Sequence, residues 1–249
     1  MSTHTRTKHY FVSDVHLGLK IGDPVKRERA FVSWLQGVGQ DAAALYLLGD
    51  IFDFWWEYKY VVPKGYVRTL GALATLADAG VSIHFIKGNH DQWTFGYLQK
   101  EIGIQIHEQP YVLNIGDKRF CLGHGDGLGD PDVGFQLLRG LFASRFLQRC
   151  HSAVHPRWGM SFGHRWSHHN RLNEGAPYVF QGEKEPIFGY AASFPEPIDY
   201  FIFGHLHTPI RCVLPSGAEL LILGEWVHQP DFVVFDEETG GLTTVKWKT

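Results

Sequence analysis

The chain has 249 residues, of which 44% are hydrophobic, and it carries a formal net charge of −3. This length suits one large α/β domain better than two independent domains, and the charge does not favour a protein that coats nucleic acid. The three cysteines are scattered without a CxxC pair, which predicts reduced thiols. The polar start predicts no signal peptide, and no apolar run reaches the about 20 residues that span a bilayer. We therefore expect a cytoplasmic protein.

Short apolar runs alternate with segments of helical periodicity through the first half of the chain. Strands are predicted at residues 10–13, 45–48, 83–86, 119–122, 200–203, 219–223, 232–235 and 242–247, the last two as a hairpin. Helices are predicted at residues 26–38 and 66–79, and Gly80 ends the second. Early alternation followed by a β-rich end predicts a sandwich of sheets flanked by helices, in the α/β or α+β class.

The segment at about 133–189 breaks the rhythm of the strands. It contains the amphipathic stretch FQLLRGLFASRFLQR, followed by a segment rich in His, Trp and Arg. We interpret it as a helical insertion that forms a lid over the active-site face. The prediction is thus a single domain over residues 1–249 with an inserted lid at about 133–189.

Five predicted strand ends carry the same kind of sequence. In each, a tight turn presents aspartate, histidine or asparagine, at Asp14-Val15-His16, Gly49-Asp50, Gly88-Asn89-His90-Asp91, Gly123-His124-Gly125-Asp126 and Gly204-His205-Leu206-His207. Strand ends are where α/β folds place ligand sites, because the loops diverge there. Each fragment alone is more often an ordinary turn, but five of them after five predicted strands indicate a metal site.

These side chains suit a pair of divalent ions. Imidazole is a common ligand of manganese, iron and zinc, while carboxylate and amide oxygens also suit magnesium. One carboxylate can bridge two ions about 3.5–4 Å apart, and such ions polarise phosphoryl oxygens and lower the pKa of water. We therefore expect a hydrolase of phosphate esters or anhydrides that uses two divalent ions. Manganese is favoured, with iron, zinc and magnesium as alternatives.

The motifs DVH, GDIFD, GNHD, GHGD and GHLH resemble the blocks of the calcineurin-like metallophosphoesterase superfamily and span residues 14–207. The resemblance implies a β-sandwich flanked by helices. It implies one ion held by Asp14, His16, Asp50 and His207. It implies a second ion, with Asp50 as the bridge, held by Asp50, Asn89, His124 and His205.

The same resemblance implies roles beside the ions. His90 would stand next to the scissile phosphate as an electrophilic stabiliser or a general acid. Asp53 would orient His90 by accepting its distal N–H, which fixes the tautomer of the ring. Asp91 is a candidate for a further supporting hydrogen bond.

The wider context of the motifs resembles one family within the superfamily. SDVHLG, GDIFDFWWEY, GHGDGLGDPD and LGEW at residues 223–226 are similar to UDP-2,3-diacylglucosamine hydrolases of lipid A biosynthesis. This implies cleavage of the pyrophosphate of a lipid-linked nucleotide sugar to a lipid monophosphate and UMP. It implies no nucleic-acid partner, and it leaves open peripheral association with the cytoplasmic face of the inner membrane.

A substrate with two acyl chains requires an apolar slot, and the insertion offers material for one. Between residues 135 and 149 five apolar side chains can share one helical face, namely Phe135, Leu138, Leu141, Phe142 and Phe146. The arginines beyond that face fit a lid over a lipid or contact with an anionic membrane. A helix packed on the core with solvated arginines fits the same pattern equally well.

Several polar and aromatic residues are candidates for substrate contacts. Asp132 aligns with an acidic residue that members of the family use to contact the sugar. The lid residues Arg165, Asn170 and Arg171 suit phosphate or uridine, because arginine matches phosphate oxygens. Their order does not match the family's lid, and a solvated polar loop is the alternative. The aromatic residues of the second block can either line the pocket or belong to the core, namely Trp55, Trp56 and Tyr58.

His90 is a departure from the family, because the common proteobacterial form has arginine at that place. Histidine restores the pattern of the superfamily, so metal-dependent hydrolysis is still expected. The substrate stays open between UDP-2,3-diacylglucosamine and another phosphodiester or phosphomonoester. An inactive scaffold on the same fold is the third alternative, but every ligand position here holds a competent residue.

Overall fold

The computed structural model describes residues 6–130, 132–172 and 178–247. Within these residues the strands form two sheets. The first sheet has the order β11-β10-β1-β2-β3-β4, with strands at β1 (Lys8–Val12), β2 (Ala42–Leu48), β3 (Ser82–Ile86), β4 (Gln105–His107), β10 (Asp231–Asp236) and β11 (Gly241–Lys246). The second has the order β5-β6-β7-β9-β8, with strands at β5 (Tyr111–Ile115), β6 (Lys118–Leu122), β7 (Tyr200–Phe203), β8 (Ile210–Val213) and β9 (Glu219–Ile222).

The helices lie along the sheets and over one end of the sandwich. They are α1 (Pro24–Val38), α2 (Val67–Asp78), α3 (Tyr97–Ile102), α4 (Val133–Ala143), α5 (Arg145–Ala153), α6 (Pro156–Leu172) and α7 (Pro186–Ala192). Local chemistry sets the start of α1: the Asp23 carboxylate accepts hydrogen bonds from the backbone N–H groups of Val25 and Lys26, both at 3.0 Å. Pro24 then fills the first helical position, where its missing N–H costs nothing.

The sandwich buries apolar side chains of both sheets against each other. Phe11, Tyr46 and Leu48 of the first sheet belong to one cluster with Phe120, Leu122 and Ile202 of the second. The outer face of the first sheet packs against α1 and α2. The α/β sandwich flanked by helices that the sequence predicts is confirmed, as is the β10–β11 hairpin.

Parallel strands carry the polar turns to one end of this core. β1, β2 and β3 are parallel neighbours, and so are β6, β7 and β9. The five motif loops follow the carboxyl ends of β1, β2, β3, β6 and β7. Because parallel strands end at the same edge of a sheet, these loops meet there.

The insertion differs from the sequence-based expectation in two respects. The single helix expected over residues 135–149 is wrong: Ser144 has an extended backbone, with φ −65° and ψ 115°, and separates α4 from α5. The last helix of the predicted lid, α7, buries Ile187, Phe188 and Ala191 in the cluster on the outer face of the second sheet. The exposed helices of the insertion are therefore α4, α5 and α6.

Candidate metal centre

The loops after β1 and β7 bring three predicted ligands into one group. His207 Nε2 lies 3.1 Å from Asp14 Oδ1, and His16 Nε2 lies 3.5 Å from the same oxygen. The two imidazole Nε2 atoms face each other at 3.3 Å. A proton between them can be donated by only one ring, whereas a metal ion accepts electron pairs from both.

The loops after β2, β3 and β6 form a second group beside the first. Asp50 Oδ2 lies 3.4 Å from His124 Nε2, which in turn lies 3.0 Å from Asn89 Oδ1. Asp50 Oδ2 is also 3.9 Å from His16 Nε2, so its carboxylate stands between the two groups. His205 is close by, with its ring centroid 5.1 Å from that of His124. The seven predicted ligands therefore lie together, and Asp50 has the central position.

The backbone at these ligands is unusual. Five of the predicted ligands have a positive φ between 48° and 70°, namely Asp14, His16, Asp50, His205 and His207. Among the residues that the structure describes, the only other non-glycine residue with positive φ is Tyr66. Such conformations cost free energy for residues with a Cβ and concentrate at functional sites. The fold thus holds these side chains in place at a local cost.

The carboxylates of the site are kept in their ionised form. Burial alone would raise the pKa of Asp14, but its contacts with His16 and His207 outweigh burial and hold it well below the ordinary value. Burial opposes ionisation of Asp50 as well, but the charges of His124, His90 and His16 together outweigh it, so that the pKa of Asp50 is also lowered. Ionised carboxylates beside imidazoles are the donor set that binds divalent ions, so the residues fit a pair of such ions.

His90 lies at the edge of this set, and the way it is held differs from the expectation. His90 Nδ1 lies 2.8 Å from the backbone carbonyl oxygen of Asp53, not from its carboxylate. The Asp53 carboxylate instead lies 3.9 Å from His16 Nδ1. The ring of His90 points its Nε2 atom toward Asp50 Oδ2, at 3.8 Å. Asp53 thus orients His90 through its backbone carbonyl group and not through its carboxylate.

Asp91 shapes the loop that carries Asp50. Its buried carboxylate accepts hydrogen bonds from the backbone N–H groups of Asp50, Ile51, Phe52 and Gly88, at distances between 2.7 and 3.2 Å. Burial, together with the charge of Asp50, raises the pKa of Asp91 to about 7 despite these contacts. Asp91 therefore joins the second and third motif loops.

Two further residues hold the motif loops and were not singled out from the sequence. Gln109 accepts a hydrogen bond from the Gly125 N–H at 2.8 Å and donates to the carbonyl oxygen of Asp126 at 2.9 Å. The guanidinium of Arg27 is buried and donates to the carbonyl oxygen of His16 at 2.9 Å. Neither residue belongs to a motif, and only the fold brings them to the site.

The LGEW segment also reaches the site through its backbone. The Trp226 N–H donates to the carbonyl oxygen of Asp14 at 3.0 Å. The buried carboxylate of Asp231 accepts the Gly224 N–H, at 3.0 Å for the nearer oxygen, and the indole N–H of Trp226 donates to the Asp231 carbonyl oxygen at 2.9 Å. The segment therefore supports the first motif loop from the chain's C-terminal strands.

A cavity of about 570 Å³ opens beside these ligands. Asn89, His90 and His205 form its polar end. The rest is largely apolar, with walls and roof from Phe54, Trp56, Trp93, Leu141, Phe142 and Phe162. Of the aromatic residues after the second motif, Trp56 lines this cavity, whereas Trp55 is fully buried in the core.

The predicted substrate contacts lie farther out. Asp132 is exposed at the start of α4, where its Oδ1 atom accepts the Gly134 N–H at 2.7 Å, and it does not line the cavity. Arg165 is exposed on α6. Asn170 and Arg171 belong to the last turn of α6, but their side chains lie outside the described residues.

Comparisons with known proteins find solved structures and sequences that resemble this chain. Among solved structures, a dimetal phosphatase from Danio rerio matches 98% of this chain and 100% of its own at 14% identity, with a TM-score of 0.46. A curated UDP-2,3-diacylglucosamine hydrolase from Porphyromonas gingivalis is 37% identical, over 94% of this chain and 96% of its own. One from Aeromonas salmonicida is 35% identical, over 90% and 88%. The family model described as calcineurin-like phosphoesterase matches residues 7–209. The chain therefore belongs to the calcineurin-like phosphoesterase family and is a metal-dependent hydrolase.

Proposed function

We propose that this chain hydrolyses the pyrophosphate bond of UDP-2,3-diacylglucosamine to a lipid monophosphate and UMP. Two curated relatives that align over most of the chain carry that enzyme name. The observation that carries the proposal is the apolar cavity of about 570 Å³, because its polar end is formed by Asn89, His90 and His205. A lipid-linked diphosphate needs this arrangement, with acyl chains in an apolar slot and phosphates at the ligands.

The residues at the polar end suit the chemistry of this reaction. Water adds to one phosphorus while the P–O bond to the other phosphate breaks. A bound pair of divalent ions supplies Lewis acidity, which polarises the phosphoryl oxygens and makes water more acidic. The carbonyl oxygen of Asp53 fixes the ring of His90 so that Nε2 faces Asp50. His90 is thereby placed to stabilise charge on the phosphate, or to donate a proton to the departing oxygen.

Manganese is the ion that we propose for both positions. Four histidines and one asparagine accompany two carboxylates in the set, and this mixture of imidazole and oxygen ligands suits a transition ion better than magnesium. The test is to strip the protein of metal, restore manganese, iron, zinc or magnesium, and measure UMP release and bound metal per chain. Full activity with magnesium or zinc but not with manganese would contradict the choice.

The surface of helices α4–α6 has features that suit binding to a membrane. Residues 133–172 contain six arginines and no Asp or Glu, which gives this segment a charge of +6. Since the whole chain has a net charge of −3, the remaining residues together carry −9. Large apolar side chains on these helices are exposed, among them Leu137, Phe146 and Trp158, which are 66%, 71% and 72% exposed. Among the described residues no helix is long and apolar enough to cross a bilayer. We propose that α4–α6 rest on an anionic membrane surface, at the cytoplasmic face of the inner membrane.

Binding to vesicles tests this surface. The double substitution Arg157→Gln and Trp158→Ala removes one charge and one exposed ring from α6. It should weaken sedimentation with phosphatidylglycerol vesicles by roughly tenfold or more. Binding of the unaltered protein to neutral phosphatidylcholine vesicles should already be weak, and high salt should reduce binding to the anionic ones. Equal binding to both kinds of vesicle would contradict the role of charge.

The hydrolysis itself is tested with a charge placed in the apolar cavity. Purified protein with manganese should release UMP from detergent-solubilised UDP-2,3-diacylglucosamine. Leu147→Glu, at the cavity wall, should raise KM for this substrate by about tenfold or more, because a carboxylate would face an acyl chain. Leu137→Glu is the matched control, since Leu137 is an exposed lid residue that does not line the cavity.

Bis(p-nitrophenyl) phosphate serves as a substrate without acyl chains, and both variants should hydrolyse it like the unaltered protein. Hydrolysis of this small diester without any UMP release from the lipid substrate would refute the proposed function. It would favour another phosphodiester as the substrate.

A further inference from the structure

A second cavity lies next to the apolar one and has a different character. Its volume is about 430 Å³, and it shares Gln92, Asp126, Arg139 and Gln148 with the apolar cavity. Its own walls are polar and include Lys87, Thr94, Glu108, Arg145, Arg149 and Ser152. A volume of this size lies within the range of about 300–1,000 Å³ that small ligands occupy. We call it the polar cavity.

The charges around the polar cavity do not balance. Two of its basic residues are paired: Arg139 Nε lies 3.0 Å from Asp126 Oδ2, and Lys87 Nζ lies 2.6 Å from Glu108 Oε1. Arg145 and Arg149 have no acidic partner within ion-pair distance anywhere in the part of the chain that the structure describes. They are four residues apart on α5, so both lie on the same face of that helix. An anionic ligand would match this excess of positive charge.

The polar cavity adjoins the metal centre. Gly88 and Gln92, which line it, flank the ligand Asn89 and His90 along the chain. Asp126 follows the ligand His124 by two residues and lines both cavities. The two cavities therefore adjoin each other beside the predicted ligands, at Gln92, Asp126, Arg139 and Gln148.

We propose that the polar cavity binds the nucleotide-bearing half of a diphosphate substrate, with Arg145 and Arg149 facing its phosphate. The proposal rests on the proposed function, which supplies a substrate with an apolar half and a nucleotide half. The apolar cavity then holds the acyl chains, and the diphosphate crosses the metal centre between the two cavities. Arginine is suited to this task because its guanidinium matches phosphate oxygens. UMP is the product that leaves from this side.

Direct binding of UMP tests the assignment without turnover. The double variant Arg145→Gln and Arg149→Gln should bind UMP with a Kd raised by about tenfold or more in calorimetry on manganese-loaded protein. The matched control is Arg29→Gln and Arg68→Gln, which removes two exposed arginines, one from α1 and one from α2, that do not line the polar cavity. Its Kd for UMP should stay within about twofold of the unaltered protein. Both variants change exposed side chains, and equal Tm values verify that they fold.

Kinetics in detergent give a second readout. Relative to the matched control, the variant of Arg145 and Arg149 should show a raised KM for UDP-2,3-diacylglucosamine. Unchanged UMP affinity in this variant would overturn the proposal. So would inorganic phosphate that binds as tightly as UMP, because the cavity would then recognise phosphate alone. A defect that appears with anionic vesicles but not in detergent would assign the two arginines to the membrane, and would overturn it as well.

The two proposals fail in different ways. If the unaltered protein releases UMP from the lipid substrate while both double variants bind UMP equally, the reaction stands and the subsite is wrong. If the unaltered protein releases no UMP, the proposed reaction fails, and the calorimetry still reports whether the polar cavity binds a nucleotide.

Discussion

Asp50 stands between the two groups of predicted ligands. Its Oδ2 atom lies 3.4 Å from His124 Nε2, 3.8 Å from His90 Nε2 and 3.9 Å from His16 Nε2. Asp50→Asn keeps the shape but removes the charge that faces these rings. We expect bound metal to fall below one ion per chain and turnover to fall by more than about 100-fold. Metal analysis after dialysis and UMP release measure the two effects.

The same substitution at Asp78, an exposed residue at the end of α2, provides the control and should change neither quantity. Two ions and full turnover in Asp50→Asn would show that the ligand assignment is wrong.

Gln109 tests how much the support of a ligand loop matters. Gln109→Leu removes the acceptor of the Gly125 N–H and the donor to Asp126, next to His124. Such supporting contacts typically contribute about 10–100-fold in metal affinity, and we expect a loss of that size in a competition titration with a chelator. Gln105→Leu, an exposed residue on β4, is the control. Equal metal affinity in both variants would contradict a role for the Gln109 contacts.

The sequence predicted which side chains come together better than it predicted which contacts hold them. Aspartate, histidine and asparagine after strands are visible as a pattern, and the structure brings all seven together. The contact between His90 and the carbonyl oxygen of Asp53 leaves no trace in the sequence, because every residue has a carbonyl group. Arg27 and Gln109 are likewise distant from any motif, and only the packing of α1 and the segment after β4 brings them near.

At the scale of elements, α6 packs closely against the aromatic residue Phe54 at Gly163. A Cβ atom at Gly163 would lie 2.4 Å from the ring of Phe54, which is packed with Trp56 and Trp93 and cannot easily move. Gly163→Ala should push α6 away from the aromatic wall of the apolar cavity. We expect the free energy of unfolding to fall by about 1–3 kcal/mol in urea titrations and KM for the lipid substrate to rise.

Gly140→Ala on α4 is the matched control, because a Cβ there meets nothing within 4 Å. It should leave KM unchanged and stabilise α4 by about 0.5–1 kcal/mol. If Gly163→Ala and Gly140→Ala had the same effects on the free energy of unfolding and on KM, the contact between α6 and Phe54 would be refuted.

The sequence predicted the inner strands of both sheets and missed three strands at sheet edges. β4, β5 and β8 went unpredicted because β4 has only three residues, whereas β5 buries one side chain and β8 buries none. The break at Ser144 was missed because the spacing of apolar residues continues across it. Ser144 makes no side-chain capping hydrogen bond at the start of α5. Phe146, expected on the same face as Phe142, is 71% exposed on α5 as a result.

At the scale of the whole molecule, histidines inside the fold make stability depend on pH. His84 Nδ1 lies 3.0 Å from His107 Nε2 between β3 and β4, and the ring of His84 stacks on Tyr46 at 4.8 Å. Burial, with the charge of His107, lowers the pKa of His84 from 6.5 to about 4. The unfolded chain thus takes up a proton near pH 6.5 that the folded chain takes up only near pH 4. Stability is lost as pH falls through this window and levels off below it.

His84→Phe keeps a ring on Tyr46 and removes the titration. The free energy of unfolding, measured by urea titration at pH 7.5 and pH 5, should fall less in this variant than in the unaltered protein, by roughly 1–2 kcal/mol. The comparison between the two proteins cancels the contributions of carboxyl groups. Parallel changes in both would contradict a role for His84.

The class of fold was predictable because parallel strands alternate with helices and place their polar turns at one end. The pairing of strands from distant parts of the chain was not predictable. β1, near the start of the chain, lies in the middle of its sheet and pairs on one side with β10. No local pattern encodes that pairing, since it depends on the registry of two strands more than 200 residues apart.

That pairing has a consequence for how the chain is made. During synthesis β1 leaves the ribosome long before β10, so one edge of a buried strand has no partner until nearly the whole chain has emerged. Trp226, whose N–H supports Asp14, appears equally late. Asp14, the first predicted ligand to be translated, thus gains its support late, and a nascent chain released early would expose an unpaired strand edge beside incomplete motif loops.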